Sequence, residues 1–451
     1  AHTSSVPSGF FTKMQAEEDC KIHRNALTFL RIMVLYISMP MSAVCVCLRR
    51  SARNDQDRMP LNRTVGGPIT DGVIRMISDQ IRRIAEQFQI QGTLKDAIPI
   101  VQGHINDTYR LISETPEGDR QYALQEINQY VFKQPELVME NICAVTEFLH
   151  QKIAAAGGDT ARETLTVIPA VDGKSFFVDD DGDYWRVYDY ICGASTYDTV
   201  QNEQHLYNAG YAFGRFQTML ADFPIEKLHE TIPDFHNTKK RLKDFFEAVE
   251  RDECGRAASV QKEIQFVKDR YDVACVLGDL LEAGELPLRV THNDTKYNNI
   301  MIDDATGEAL CVIDLDTVMP GLSAYDYGDA IRFAASSAAE DETDLSKVGL
   351  DMKLFELFTG GFVSAVTGFL TDTELAVLPW GARIITLELA SRFLADHLNG
   401  DKYFKIHREN HNLDRARSQM ALVEDMEKHF GEMEAICRKY MEQSRTQGRK
   451  A

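Results

Sequence analysis

The sequence predicts an α+β chain with two lobes, a small antiparallel β-sheet followed by a larger and mostly helical part. Three observations carry this expectation. Six short β-like stretches separated by turn signals lie between residues 97 and 190, and helical spacing dominates beyond Ile191. A chain of 451 residues with 44% hydrophobic content can also bury more than one core.

In chain order, the apolar residues Val73, Ile74, Ile77, Ile81, Ile84, Ala85 and Phe88 recur at three and four, which predicts a helix over Gly72–Gln89 ended by Gly92. The β-like stretches are Ala97–Val101, Thr108–Ile112, Tyr122–Ile127, Thr164–Pro169, Ser175–Val178 and Tyr184–Tyr190, with turns at Pro116-Glu117-Gly118 and Asp180-Asp181-Gly182-Asp183. A single helix, Pro135–Ala156, interrupts them. The helical part follows as Gln201–Leu220, Lys239–Val249, Ala257–Leu281, Asp351–Ala365, Thr373–Leu398 and Asn412–Tyr440. The expected organisation is therefore 68–191 for the sheet lobe and 192–451 for the helical lobe, with a polar hairpin at 288–318 inserted in the latter.

Charge separates the ends of the chain. The whole carries 49 Lys and Arg against 69 Asp and Glu, a net of −20. Residues 1–67 hold nine basic and five acidic side chains, so the rest sums to −24. That excludes a general nucleic-acid or anionic-membrane binder. Leu27–Leu48 is long and apolar enough for a membrane anchor with a basic flank, but Arg31 and Pro40 interrupt it. Residues 1–67 read either as such an anchor or as an extension outside the folded protein. Nine cysteines without C-x-x-C spacing read as reduced thiols of a cytoplasmic protein, not as a disulfide framework or a zinc site.

The chemistry concentrates in the hairpin. A strand Leu288–Thr291 leads into His292-Asn293-Asp294-Thr295-Lys296-Tyr297-Asn298-Asn299, then a strand Ile300–Ile302, an acidic turn, a return strand Ala309–Ile313, and Asp314-Leu315-Asp316. This connectivity brings Asp294, Asn299 and Asp314 toward one point. Two carboxylates and an amide suit a hydroxyl-activating base plus hard oxygen ligands for Mg2+. Four fixed residue types in H-x-D-x-K-x-x-N give a chance expectation on the order of 0.003 over such a chain. His292 is expected to brace the loop by hydrogen bonds. Asp326 and Asp329, in Ser323–Arg332, are expected to cap a helix start and brace the same loop.

These residues match the catalytic segment of the protein-kinase-like superfamily and resemble its aminoglycoside and choline phosphotransferase branch. THNDTKYNNIMID, VIDLDTVMPGLSAYDYGDAIRF and GHINDTY resemble the N-acetylhexosamine 1-kinase group, over about residues 95 to 420. The resemblance implies a bilobal protein-kinase-like fold and an ATP- and Mg2+-dependent kinase that phosphorylates the anomeric hydroxyl of N-acetylglucosamine or N-acetylgalactosamine. It implies Asp294 as catalytic base, Lys296 near the transferring phosphoryl, Asn299 and Asp314 as metal ligands, and Asp316 as a supporting carboxylate. On the nucleotide side it implies Gly103, His104, Asn106 and Thr108, in a loop that otherwise reads as an ordinary β-turn. Gln125 stands where protein kinases place a phosphate-binding lysine, and Trp185–Ile191 resembles the hinge beside adenine. For the acceptor the resemblance points to Arg392 and Tyr403 as sugar contacts. Rival readings are a kinase of choline, homoserine or an aminoglycoside, and a catalytically silent kinase-like binding module. The implied partners are ATP and a small sugar, with no nucleic acid and no membrane beyond the 27–48 segment.

Overall fold

The computed structural model describes residues 79–100 and 106–448. The apolar segment 27–48, the rest of 1–67, and Gly103 and His104 lie outside the described residues. Of the expected first helix, 79–85 is helical and is labelled α1. It ends well before Gly92 because Phe88 leaves the helix to bridge Ala170.

The sheet is antiparallel throughout, with β1 (Thr93–Ile100), β2 (Asp107–Thr115), β3 (Gly118–Ile127), β4 (Val167–Ile168), β5 (Phe177–Val178) and β6 (Tyr184–Asp189). Its order is β1-β2-β3-β6-β4, with β5 also on β6. The alternation of β3 turns Tyr122 and Leu124 to one buried face and Ala123 and Ile127 to the other, and the ladder sets Gln125 opposite Thr108 on one side and Arg186 on the other. Helix α2 (Pro135–Ala155) opens with proline in its first turn and buries Val138, Met139, Ile142, Val145, Leu149 and Ile153. The expected strand Thr164–Pro169 contracts to two ladder residues, Val167 and Ile168 on β6, with the Thr166 carbonyl accepting from the Asp189 N–H at 2.9 Å beside them.

The helical part comprises α3 (Glu203–Met219), α4 (Thr238–Arg251), α5 (Gln261–Asp269), α6 (Tyr271–Glu282), α7 (Ser323–Ala334), α8 (Met352–Val366), α9 (Asp372–Ala376), α10 (Leu378–Leu398) and α11 (His411–Gly448). Two expected helices are each divided. Ala257–Leu281 breaks at Arg270, whose guanidinium binds Glu427 at 2.8 and 3.0 Å and turns the chain there. Thr373–Leu398 breaks before Pro379, which opens α10 where its missing N–H has no partner to lose. Within this layer the hairpin appears as β8 (Arg289–Thr291), β9 (Ile300–Asp303), β10 (Ala309–Val312) and β11 (Met319–Gly321), with β7 (Ala194–Ser195) on β9. Among the described residues all six cysteines are free, and no helix is long and apolar enough to cross a membrane.

Glycine sets two of the helix crossings. A Cβ at Gly361 of α8 would lie 2.0 Å from the Tyr207 carbonyl oxygen of α3. A Cβ at Gly328 of α7 would meet the backbone of Gly381 at 2.4 Å, and one at Gly381 would meet the Ala324 oxygen at 2.0 Å. Since α7 carries Asp326 and Asp329, this second crossing seats both carboxylates. Gly328→Ala is expected to cost about 1–3 kcal/mol of stability by forcing α7 off α10, read as a shifted urea midpoint. An unchanged midpoint would mean that the helices separate freely.

Candidate active site

Local geometry of the hairpin follows from residues that tolerate positive φ. Asn293 sits at φ 65° and Asp314 at φ 59°, in the left-handed region that short polar side chains tolerate better than branched ones. These two turns aim the Asp294 segment and the Asp314 segment at each other from β8 and β10. The Ile313 N–H donates to the Asn299 carbonyl at 2.9 Å and closes them together.

The four implied catalytic and metal positions fall into one cluster. Lys296 Nζ lies 2.9 Å from Asp294 Oδ1, and Asn299 Nδ2 donates to the Asp294 carbonyl at 2.8 Å and to its Oδ2 at 3.3 Å. Burial pushes the Asp294 carboxyl up, but Lys296 more than offsets this and holds it below the usual range. Asp294 is therefore anionic at neutral pH and able to accept a proton. Burial also acts on Asp314, and with the Asp316 and Asp294 carboxylates beside it the group is pushed up to about 7. Such crowding of carboxylates leaves the site short of positive charge, which is the donor chemistry a hard cation suits. Among the described residues no group of three His, Cys, Asp or Glu side chains could hold a metal alone. One carboxylate and one amide instead match an ion that takes its remaining oxygens from phosphates and water.

His292 is fully buried. Its Nε2 donates to the Ile313 carbonyl at 2.8 Å, leaving Nδ1 to accept from the Asp294 N–H at 3.3 Å. Asp326 accepts from the His292 and Asn293 N–H groups at 2.9 and 2.7 Å, and from Gln217 Nε2 at 2.7 Å. Asp329 accepts from the Thr295 N–H at 3.1 Å and from Arg332 Nη2 at 2.9 Å. The expectation that these aspartates cap a helix start is corrected. Leu322 occupies the cap of α7 without a side-chain bond, and both carboxylates turn to the loop amides, which have no other acceptor.

On the sheet side, Asn106 and Thr108 join a network that sequence reasoning missed. Arg186 of β6 is 1% exposed, and its Nη1 lies 2.5 Å from Asp316 Oδ1. Its Nε donates to Gln125 Oε1 at 3.0 Å, and Gln125 Nε2 donates to Thr108 Oγ1 at 3.1 Å. Asn106 Nδ2 donates to the second Asp316 oxygen at 2.8 Å, while its Oδ1 accepts from the Asn128 N–H at 3.0 Å. A buried guanidinium thus stands directly across the ladder from the neutral Gln125. The only sequence signal was an arginine inside the apolar stretch Tyr184–Tyr190.

Arg392 and Tyr403 are brought together. The guanidinium lies 5.9 Å from the Tyr403 ring centroid, 5.5 Å from Phe235 and 5.6 Å from Phe404. The Asp396 carboxylate folds the loop that carries Tyr403, accepting from the N–H groups of Lys402, Tyr403 and Phe404 at 2.8–2.9 Å. Tyr403 is 51% exposed, and Tyr130 beyond β3 donates to the Lys402 carbonyl at 3.3 Å, linking this loop to the sheet part. Glu388, one turn before Arg392, is fully buried and accepts from Thr238 Oγ1 at 2.6 Å.

A small antiparallel sheet joined through a buried ion pair to a loop of Asp, Lys and Asn, with a further Asp on the return strand, defines a kinase-like phosphotransferase architecture. The chain belongs to the phosphotransferase enzyme family, whose model matches residues 96–348, more than half of its length. Solved structures of the same fold include a microcompartment-associated aminopropanol kinase, 16% identical with TM-score 0.51, covering 79% of this chain and 98% of that one. An amicoumacin kinase in complex with AMP-PNP and Ca2+ is 13% identical with TM-score 0.51, covering 79% and 96%. An aminoglycoside phosphotransferase from Alicyclobacillus acidocaldarius is 10% identical with TM-score 0.50, covering 82% and 96%.

Proposed function

We propose that the protein transfers the γ-phosphoryl of ATP to the anomeric hydroxyl of an N-acetylhexosamine, N-acetylglucosamine or N-acetylgalactosamine. The observation that carries the phosphoryl-transfer part is the convergence of Asp294, Lys296, Asn299 and Asp314 on one point, with Asp294 held anionic. In this reading Asp294 orients the acceptor hydroxyl and takes its proton. Lys296 stands beside it to offset charge on the moving phosphoryl group. Asn299 and Asp314 would hold Mg2+, which when bound neutralises charge on the polyphosphate. His292, Asp326 and Asp329 keep the loop in register. Arg186, across the ladder from Gln125, fixes Asp316 and, through Gln125, Thr108 on the nucleotide side of this reading, with Asn106 on the second Asp316 oxygen.

The acceptor side favours a neutral polyol over a cationic amino alcohol. Burial and then Arg392 depress the Arg241 guanidinium against the opposing pull of Glu388, Tyr403 and Asp244, so two guanidinium groups already stand together on this wall. An ammonium-bearing acceptor would add to their charge, whereas ring hydroxyls and an acetamido carbonyl accept from forked guanidinium donors and stack on Tyr403. ADP release is expected with N-acetylglucosamine or N-acetylgalactosamine in the presence of ATP and Mg2+. The corresponding methyl glycosides, blocked at the anomeric oxygen, should give none. Turnover with choline, homoserine or an aminoglycoside but with neither sugar would overturn the acceptor and leave the kinase reading standing.

A further inference from the structure

His236 lies between the sugar-side helix and the catalytic loop, and both of its ring nitrogens face acceptors. Nδ1 is 3.1 Å from Glu388 Oε1 on α10, and Nε2 is 3.0 Å from the Asn293 carbonyl oxygen. The side chain is 9% exposed, so water does not substitute for either partner. A backbone carbonyl cannot donate, and a neutral imidazole carries one N–H only. Serving both oxygens from the ring needs two N–H groups. The neighbours agree with a charged ring: Glu388 is fully buried, and its carboxyl is held below its usual range by His236 despite that burial. The other groups facing the ring are Arg392 of α10, which opposes the charge, Tyr325 of α7 with ring centroids 5.7 Å apart, and Phe235 of its own segment.

We propose that His236 is a positioning residue which, as an imidazolium, joins the acceptor wall on α10 to the catalytic loop, so that Asp294 and Arg392 are held in register only while the ring keeps both protons. The inference rests on the phosphotransferase reading of Asp294. The Asn293 N–H is held by Asp326, its side-chain amide donates to the Thr317 carbonyl at 2.9 Å and its side-chain oxygen accepts from Thr291 Oγ1 at 3.0 Å, while His236 holds the backbone carbonyl of this residue before Asp294. When the ring loses a proton to solvent at alkaline pH, one nitrogen has no hydrogen and either Asn293 or Glu388 is released. Burial pushes the His236 pKa down, and Glu388 and the Asn293 carbonyl more than offset this and lift it above the ordinary histidine value of about 6.5. The stabilisation is accordingly complete below that value and is lost as pH rises through the raised one.

Two readouts test this on the full chain. In protein labelled with 15N-histidine, long-range proton–nitrogen correlation should show one histidine with both nitrogens protonated at pH 7, and its signal should vanish in His236→Gln. In ADP-release assays with the saturating acceptor, His236→Gln should lower kcat by about 10- to 100-fold with KM for ATP unchanged. The alkaline limb of the wild-type kcat profile should be missing in this variant, and in Glu388→Gln it should move to lower pH. A singly protonated ring in the wild type at pH 7, or the same alkaline limb in His236→Gln, would overturn the proposal. Should the wild type release no ADP above background with any of the acceptors, the phosphotransferase reading and the coupling both fall, and the spectrum still reports the charge of the ring.

Discussion

Asp294→Asn is expected to reduce kcat by about 10²- to 10⁴-fold while leaving nucleotide affinity within a few-fold of the wild type. The reason is specific to the geometry. Asparagine keeps the shape and can still accept from Asn299 Nδ2, which in the wild type donates to Asp294 at 3.3 Å. It cannot take a proton, and it no longer balances Lys296, 2.9 Å away. Pre-steady-state release of ADP and titration with an ATP analogue separate the two effects. Unchanged turnover would remove Asp294 from proton transfer, and a parallel loss of nucleotide affinity would assign it to binding instead.

Arg186→Met is expected to destabilise the fold by about 3–5 kcal/mol, because it leaves the Asp316 carboxylate buried without its partner. Side-chain exposures of 1% and 2% place both members of the pair away from water. Adding Asp316→Asn should recover much of that loss in urea denaturation, since the uncompensated charge disappears and the amide still accepts from Asn106 Nδ2. Nucleotide binding should not recover with it. ADP affinity should remain at least tenfold weaker in the double variant while adenosine affinity stays near wild type, because the guanidinium that fixes Thr108 through Gln125 on the proposed nucleotide side is gone. Equal losses for ADP and adenosine would reduce Arg186 to a purely architectural group.

These two variants mark the division between what was readable in one dimension and what was not. Asp294, Lys296, Asn299 and Asp314 lie within 21 positions of one another, on a hairpin whose turn residues and alternating strands are local signals. Their convergence needs only that the hairpin form. The sheet followed by helices was legible for the same reason, since periods of 2 and 3.6 reflect which face each side chain takes. Helix breaks were not. Arg270 and Pro379 interrupt segments whose apolar spacing continues across the break, and the cause is a tertiary partner in one case and a backbone boundary in the other.

The amino-acid sequence by itself determined the α+β class, the polar hairpin that gathers the candidate site residues, and the acidic balance of the chain beyond residue 67. Tertiary structure alone decided that Arg186 stands across the ladder from Gln125 and grips Asp316, 130 positions away, and that His236 joins Glu388 to Asn293. It also decided that Asp326 and Asp329 leave the start of α7 uncapped. An arginine in an apolar strand or a histidine before a helix has no local pattern that names its partner. What fixes each is the energetic need to satisfy a buried charge, and the partners that meet it come together only when the layers pack.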